Sequence, residues 1–324
     1  LVDFSEIEEF RKGTLPELLT DEAKKAWNGV IPGPYIEGQF WALWCNKKVA
    51  QKVGIEVKQM GMTFDDFKGY LKAVREYNLQ NPQNYITPIY ESIDWPTTMV
   101  IAIQLYASLL QSPDEFFQGE ITERRLNAWK KTLEALEEIS SIQPLNPNWQ
   151  KVSWGKTTAS LINEECLFYV NGSWMYNIWL GIDEEKTNNC MPAEFPAFGK
   201  QTVYPGGYQI MWGVLKKAPH RDEAVKFLLA MNTPSMSEMW VRYTKCPTGI
   251  KGNLTGVSFG KDQFENFSFH IQDTYKTNSY RYSESSAWIL DKRNEKTKVF
   301  FTEVIQGEMT ASQAFNQLKK SIVR

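Results

Sequence analysis

The chain has 324 residues, enough for two hydrophobic cores, because single cores stop growing at roughly 250 to 300 residues. With 42% hydrophobic and 23% charged residues it has an ordinary globular composition, which excludes a disordered or fibrous chain. A formal net charge of −2 argues against nucleic acid as a partner, since neutralising phosphates needs clustered Lys and Arg.

The first strand signal is QFWALWCN at 39–46. MTFDDFKGYLKAVREYN follows as a helix, with Thr63 as N-cap, Asp66 three residues on, and Phe67, Tyr70, Leu71 and Val74 on one face. Further strands are expected at 84–90 (NYITPIY), 166–172 (CLFYVNG) and 208–216 (YQIMWGVLK). Pro219, Asp222 and Glu223 open a helix whose apolar stripe is Ala224, Phe227, Leu228 and Met231. Thr233 as cap and Pro234 at the first helical position begin another directly. Thr310 and Gln313 form a capping box before Phe315, Leu318 and Ile322 in the last helix. Helix and strand signals alternate, so the fold class is α/β. No apolar run of 18 residues occurs, and no repeat, low-complexity tract or linker composition marks a domain boundary.

Reactive chemistry is sparse. The G-x-S-x-G, G-x-G-x-x-G and Walker A patterns are missing, and neither His220 nor His270 has a triad partner in sequence. Cys45, Cys166, Cys190 and Cys246 lie far apart without metal-ligand spacing, so no metal site and no cofactor is expected. They read as buried free thiols, with one or two disulfides open if the protein is exported. Glu91 and Asp94 are the acids set among aromatics at a strand end, and a glycosidase would need a second carboxylate beside Glu91. Aromatic residues are abundant instead, at 14% with 12 Trp. Trp and Tyr carry flat apolar faces and polar edges suited to holding a ligand.

Five stretches, GQFWALWCNKKVAQKVGI, MTFDDFKGYLKAV, CLFYVNGSWMYNIW, PAEFPAFG with YPGGYQIMWGVLKKAPHRDEAVKFLLAMNTPSMSEMW, and YTKCPTGIKGN, occur in one order. In that order the chain resembles the extracellular solute-binding proteins of carbohydrate ABC transporters, the broad family that includes maltose-binding protein. Cys166 and Leu167 depart from the family's usual Ala-Met. The resemblance implies a two-lobed periplasmic-binding-protein-like α/β fold with a hinge and an interlobe cleft. It implies a first lobe of residues 1–86 and 190–246 and a second of 87–189 and 247–324, with the N-terminal part of the first lobe lacking. It further implies an extracytoplasmic monomer, in the periplasm or at the cell surface with a lipid anchor open, that delivers a sugar to an ABC transporter permease. Several stacking surfaces favour an oligosaccharide ligand. A carbohydrate-active enzyme using Glu91, or a sensory or adhesive sugar-binding protein, are the alternatives.

The resemblance also suggests ligand contacts, and no catalytic residue. In NGSW, the Gly172 turn would project Trp174 as a stacking platform. Glu91 resembles the polar contact after a crossing strand, and Trp95 the ring behind it. Trp41 and Trp44 bracket a strand end, one of them core. Gly206, Gly207 and Tyr208 would make a turn that approaches the ligand closely, and Trp288 occupies the place of another stacking aromatic.

Overall fold

The computed structural model describes residues 1–25, 27–112, 115–116, 122–201, 203–244, 246, 248–252, 279–280 and 296–322. The chain divides into two compact units, Leu1–Phe40 with Gly206–Thr277 and Trp41–Pro205 with Asn278–Arg324. These bounds differ from the expected 1–86 with 190–246 and 87–189 with 247–324. The first crossing lies inside an uninterrupted strand, β1 (Glu37–Asn46), and the second inside β5 (Tyr204–Gln209). Both crossings therefore lie within single strands, so no separate linker segment marks them, even though Pro205, Gly206 and Gly207 stand at the second.

The larger unit is built on β2 (Thr87–Tyr90), β3 (Cys166–Gly172), the second half of β1 and β4 (Cys190–Ala193), in the order β2-β3-β1-β4. β2 and β3 are parallel, while β1 pairs antiparallel with β3 (Trp41 opposite Gly172) and with β4 (Leu43 opposite Ala193). The first two residues of β5 pair with β6 (Ser279–Tyr280). β3 is buried along its whole length, which explains its continuous apolar run. Phe67 of the Phe64–Gln80 helix packs on Phe168 of β3, with ring centroids 5.7 Å apart. That helix begins with the expected capping box, Thr63 Oγ1 accepting from Asp66 N and Asp66 Oδ2 from Thr63 N.

The Thr98–Ala107 helix is buried at all ten positions, so it shows no amphipathic period by which sequence reasoning could find it. It packs with the Glu123–Ser140 and Lys296–Gln306 helices around Trp129, whose ring stacks on Tyr106 at 4.2 Å and lies 5.4 Å from Phe301. The last helix, Ala311–Ile322, starts on the expected Thr310/Gln313 box.

In the smaller unit, β1 residues Glu37 to Phe40 pair antiparallel with Gln209 to Gly206 of β5. The strand expected over 208–216 is instead 204–209, and residues 210–216 are not strand. The Arg221–Met231 and Pro234–Thr244 helices form where expected. The buried face of the first is shifted, however: Leu228 is buried while Phe227 is 64% exposed. Of the expected stripe, Ala224 and Met231 are half-buried beside Leu228, Val225 and Leu229 join them, and only Phe227 lies on the outer side.

Candidate functional site

Four tryptophans of the larger unit gather where the parallel strands β2 and β3 end. Trp95 lies in the loop after β2, and Trp174 is the first residue of the Trp174–Ile182 helix that follows β3. Trp41 stands on β1 opposite Gly172, and Trp154 opens the short Trp154–Thr157 helix. Carboxyl ends of parallel strands are where α/β proteins place ligand-binding loops. Trp95 and Trp174 are stacked, with centroids 6.0 Å apart at 19°. Trp41 meets both edge-on, at 5.3 Å from each, and Trp154 meets Trp95 edge-on at 5.8 Å. Trp41 is only 4% exposed and serves as the floor, whereas Trp95, Trp154 and Trp174 are half-buried.

The position of Trp174 depends on Gly172. A Cβ built on Gly172 would stand 1.9 Å from Cζ3 of the Trp174 ring, so the ring lies directly across the glycine backbone. Beneath it, Asn171 Nδ2 donates to Tyr169 Oη at 2.9 Å, and Asn171 Oδ1 accepts from Gly172 N at 2.8 Å. Tyr169 Oη also meets Thr157 Oγ1 at 2.9 Å, linking β3 to the helix that carries Trp154. Burial pushes the Tyr169 phenol well above its ordinary range, so this network stays neutral.

Two of the expected contacts have other roles. Trp44 is fully buried, its Nε1 donates to Asn171 O at 3.0 Å, and its ring meets Trp179 edge-on at 5.1 Å. It is the core member of the Trp41/Trp44 pair and presents no surface. Glu91 is 2% exposed, and its carboxylate accepts from the backbone N–H groups of Ser92, Thr97 and Thr98. Its carboxylate oxygens are thus taken up by backbone donors and present almost no surface. Burial pushes its pKa up, while the bonds from Thr98, Thr97 and Ser92 act against that. Asp94 Oδ1 accepts from Trp154 N at 2.8 Å and so fastens the Trp95 loop to the Trp154 helix.

Gly206, Gly207 and Tyr208 belong to the smaller unit and form strand, not a turn: Gly206 pairs with Phe40, Gly207 with Gln39 and Tyr208 with Gly38. Their φ angles of 152° and 128° at Gly206 and Gly207 explain the two glycines as backbone that side chains would strain. Trp288 and His270 lie outside the described residues. Trp154 is the member that sequence reasoning missed, and a lone Trp in the polar stretch KVSWGK was the available signal. All four cysteines are buried free thiols, and burial pushes Cys45, Cys166 and Cys190 well above the ordinary thiol range.

The family model described as bacterial extracellular solute-binding protein matches residues 3–237. The chain belongs to this family. A search of curated protein sequences finds no match. Among solved structures, the solute-binding protein is similar to a chitin oligosaccharide binding protein, with a TM-score of 0.72 at 16% identity over 100% of this chain and 78% of that chain. It is similar to a sugar transporter protein of Bacillus licheniformis in complex with stachyose, with a TM-score of 0.65 at 17% identity over 98% and 79% of the two chains. A third is the GacH receptor of Streptomyces glaucescens GLA.O, studied unliganded and with acarbose, with a TM-score of 0.67 at 15% identity over 98% and 79%. These likenesses are of fold, and the solute-binding protein has the mixed α/β fold of that two-lobed class.

Proposed function

We propose that this solute-binding protein receives an oligosaccharide outside the cytoplasm and delivers it to the permease of an ABC transporter. The observation that carries the reading is the tryptophan cluster, with the half-buried rings of Trp95, Trp154 and Trp174 on the floor made by Trp41. A sugar ring presents C–H groups on its faces and hydroxyls around its edge, and an aromatic face covers the first. Several adjoining rings offer more than one stacking surface, which favours a chain of sugars over a single one. The sugars named for the similar structures, chitin oligosaccharide, stachyose and acarbose, support the same choice. The units Leu1–Phe40 with Gly206–Thr277 and Trp41–Pro205 with Asn278–Arg324 then serve as the first and second lobes.

Thermal-shift measurements against a panel of mono- and oligosaccharides, with product analysis of each hit, test the reading. A ligand at a hundredfold excess over its Kd adds about 2.7 kcal/mol of apparent stability. Stabilisation by an oligosaccharide recovered unchanged is the expected result. Cleavage of the sugar, or no stabilisation by any saccharide, overturns it. Uptake of the identified sugar by permease-containing vesicles only when the protein is added would establish delivery.

A further inference from the structure

We infer that Glu91 is a positioning residue: its buried carboxylate fixes the loop that carries Trp95, and through Trp95 the ring cluster, while making no contact with the ligand itself. The effect on affinity rests on the proposal that the cluster receives sugar.

Glu91 follows directly on β2, and the fully buried Thr98–Ala107 helix begins seven residues later. The first N–H groups of a helix have no partner within it, and in a buried helix water cannot supply one. The side chain of the N-cap residue, Thr97, makes no capping bond to the helix. Glu91 fills that place from six residues upstream. Its Oε1 accepts from Ser92 N at 2.8 Å and Thr97 N at 3.0 Å, and its Oε2 from Thr97 N at 2.9 Å, Thr98 N at 2.7 Å and the Thr98 hydroxyl.

These bonds tie residue 91 to residues 97 and 98, so the intervening segment is a closed loop with Trp95 on it. Two further bonds hold its middle, Ile93 N to Val152 O at 3.1 Å and Trp154 N to Asp94 Oδ1 at 2.8 Å. Ser92 Oγ donates to Trp95 O at 3.3 Å, and Glu91 N itself donates to Asn146 Oδ1 at 2.8 Å. The backbone of Trp95 is therefore set by a network whose largest single contributor is the Glu91 carboxylate. An amide cannot replace it. Three backbone N–H groups converge on its two oxygens, and in Glu91→Gln one oxygen gives way to an NH2 that can only oppose a donor.

The test compares Glu91→Gln, Trp95→Ala and the double variant by far-UV circular dichroism, oligosaccharide titration and urea denaturation. Trp95 adjoins Trp174, Trp41 and Trp154 at 6.0, 5.3 and 5.8 Å, so the exciton couplet lost on Trp95→Ala reports the placement of Trp95 among these rings without any sugar. Glu91→Gln is expected to lose the couplet and to weaken oligosaccharide binding about tenfold, with no further loss when combined with Trp95→Ala. Additive affinity losses, or a Glu91→Gln protein that is less stable yet keeps its couplet and affinity, overturn the inference. If Glu91→Gln does not fold, Thr98→Val, which removes only the hydroxyl donor, is expected to weaken the couplet in the same sense, and an unchanged couplet overturns the inference. Should no saccharide bind the wild-type protein, the function reading fails, and the couplet alone decides the role of Glu91.

Discussion

Replacing Gly172 by Ala tests whether the Trp174 ring is held by the absence of a side chain beneath it. A Cβ at this position would lie 1.9, 2.2 and 2.3 Å from Cζ3, Cη2 and Cε3 of Trp174. Carbon atoms pack at about 3.5–4.0 Å, so the ring must withdraw by roughly 1.5 Å or more. It cannot do so freely, because Trp41 at 5.3 Å and Trp95 at 6.0 Å adjoin it. Overpacking of this kind costs about 1–3 kcal/mol. The backbone at Gly172 is not in the positive-φ region, so Ala recovers about 0.4–1 kcal/mol through the unfolded chain. The net expectation is a loss of about 1–2 kcal/mol in urea denaturation. Displacing one stacking ring should also weaken oligosaccharide binding about tenfold or more in calorimetric titration. The double variant Gly172→Ala, Trp174→Ala decides the cause. With the ring gone, the alanine should cost nothing further. If it remains as destabilising as before, the penalty arises from the pairing of Gly172 with Trp41 on β1, and the reasoning about the ring is wrong.

Trp44→Phe should cost about 1–3 kcal/mol, because it leaves the Asn171 carbonyl without its indole donor, while oligosaccharide affinity stays within about threefold; a large affinity loss at unchanged stability would return Trp44 to the binding surface. Asp66 is held near pKa 2, below its ordinary 3.8, by the Lys58 ammonium and by Thr63. Its contribution to stability is therefore complete above about pH 4 and is lost as pH falls towards 2, so the stability gap between wild type and Asp66→Asn should close over that interval. A gap that stays constant through it would show that the charge is not what stabilises the helix start. The four buried thiols should resist a disulfide reagent in the native protein and all react after denaturation; a fast native reaction at any of them would contradict their burial.

Much of the fold was legible because local chemistry agreed with the final structure. The Thr63/Asp66 and Thr310/Gln313 boxes and Pro234 marked helix starts that the structure keeps, and CLFYVNG is strand over its full expected length. What was not legible has a common cause. The Thr98–Ala107 helix is buried all round, so burial erased the period that reveals helices. Phe227 and Leu228 are adjacent apolar residues, and only packing decides which turns inward. The abundance of rings was legible in the composition and several of them do gather at one place, but composition could not separate the cluster from the core: Trp41 and Trp44 lie three residues apart on one strand. The bonding of Glu91 was not legible for a deeper reason. An acid at a strand end beside aromatics has the same sequence signature whether its carboxylate faces a ligand or closes a helix, and only its bonds to Thr97 and Thr98 distinguish the two.

Gly172 and Glu91 act on the same stacked pair from opposite sides of the chain's chemistry. One fixes Trp174 by presenting no side chain, the other fixes Trp95 by presenting carboxyl oxygens on which backbone donors converge. A large ring on a loop has many rotamers, and ordering it on binding costs about 0.5–1.5 kcal/mol per side chain. Rings already ordered in the free protein do not incur that cost again, so residues that touch no ligand can govern affinity as strongly as those that do. It follows that substitutions at Gly172 and Glu91 should weaken different oligosaccharides by similar factors, since they disturb the platform itself. Substitutions of Trp154, which adjoins the stack through an edge-to-face contact with Trp95, should discriminate between sugars of different length.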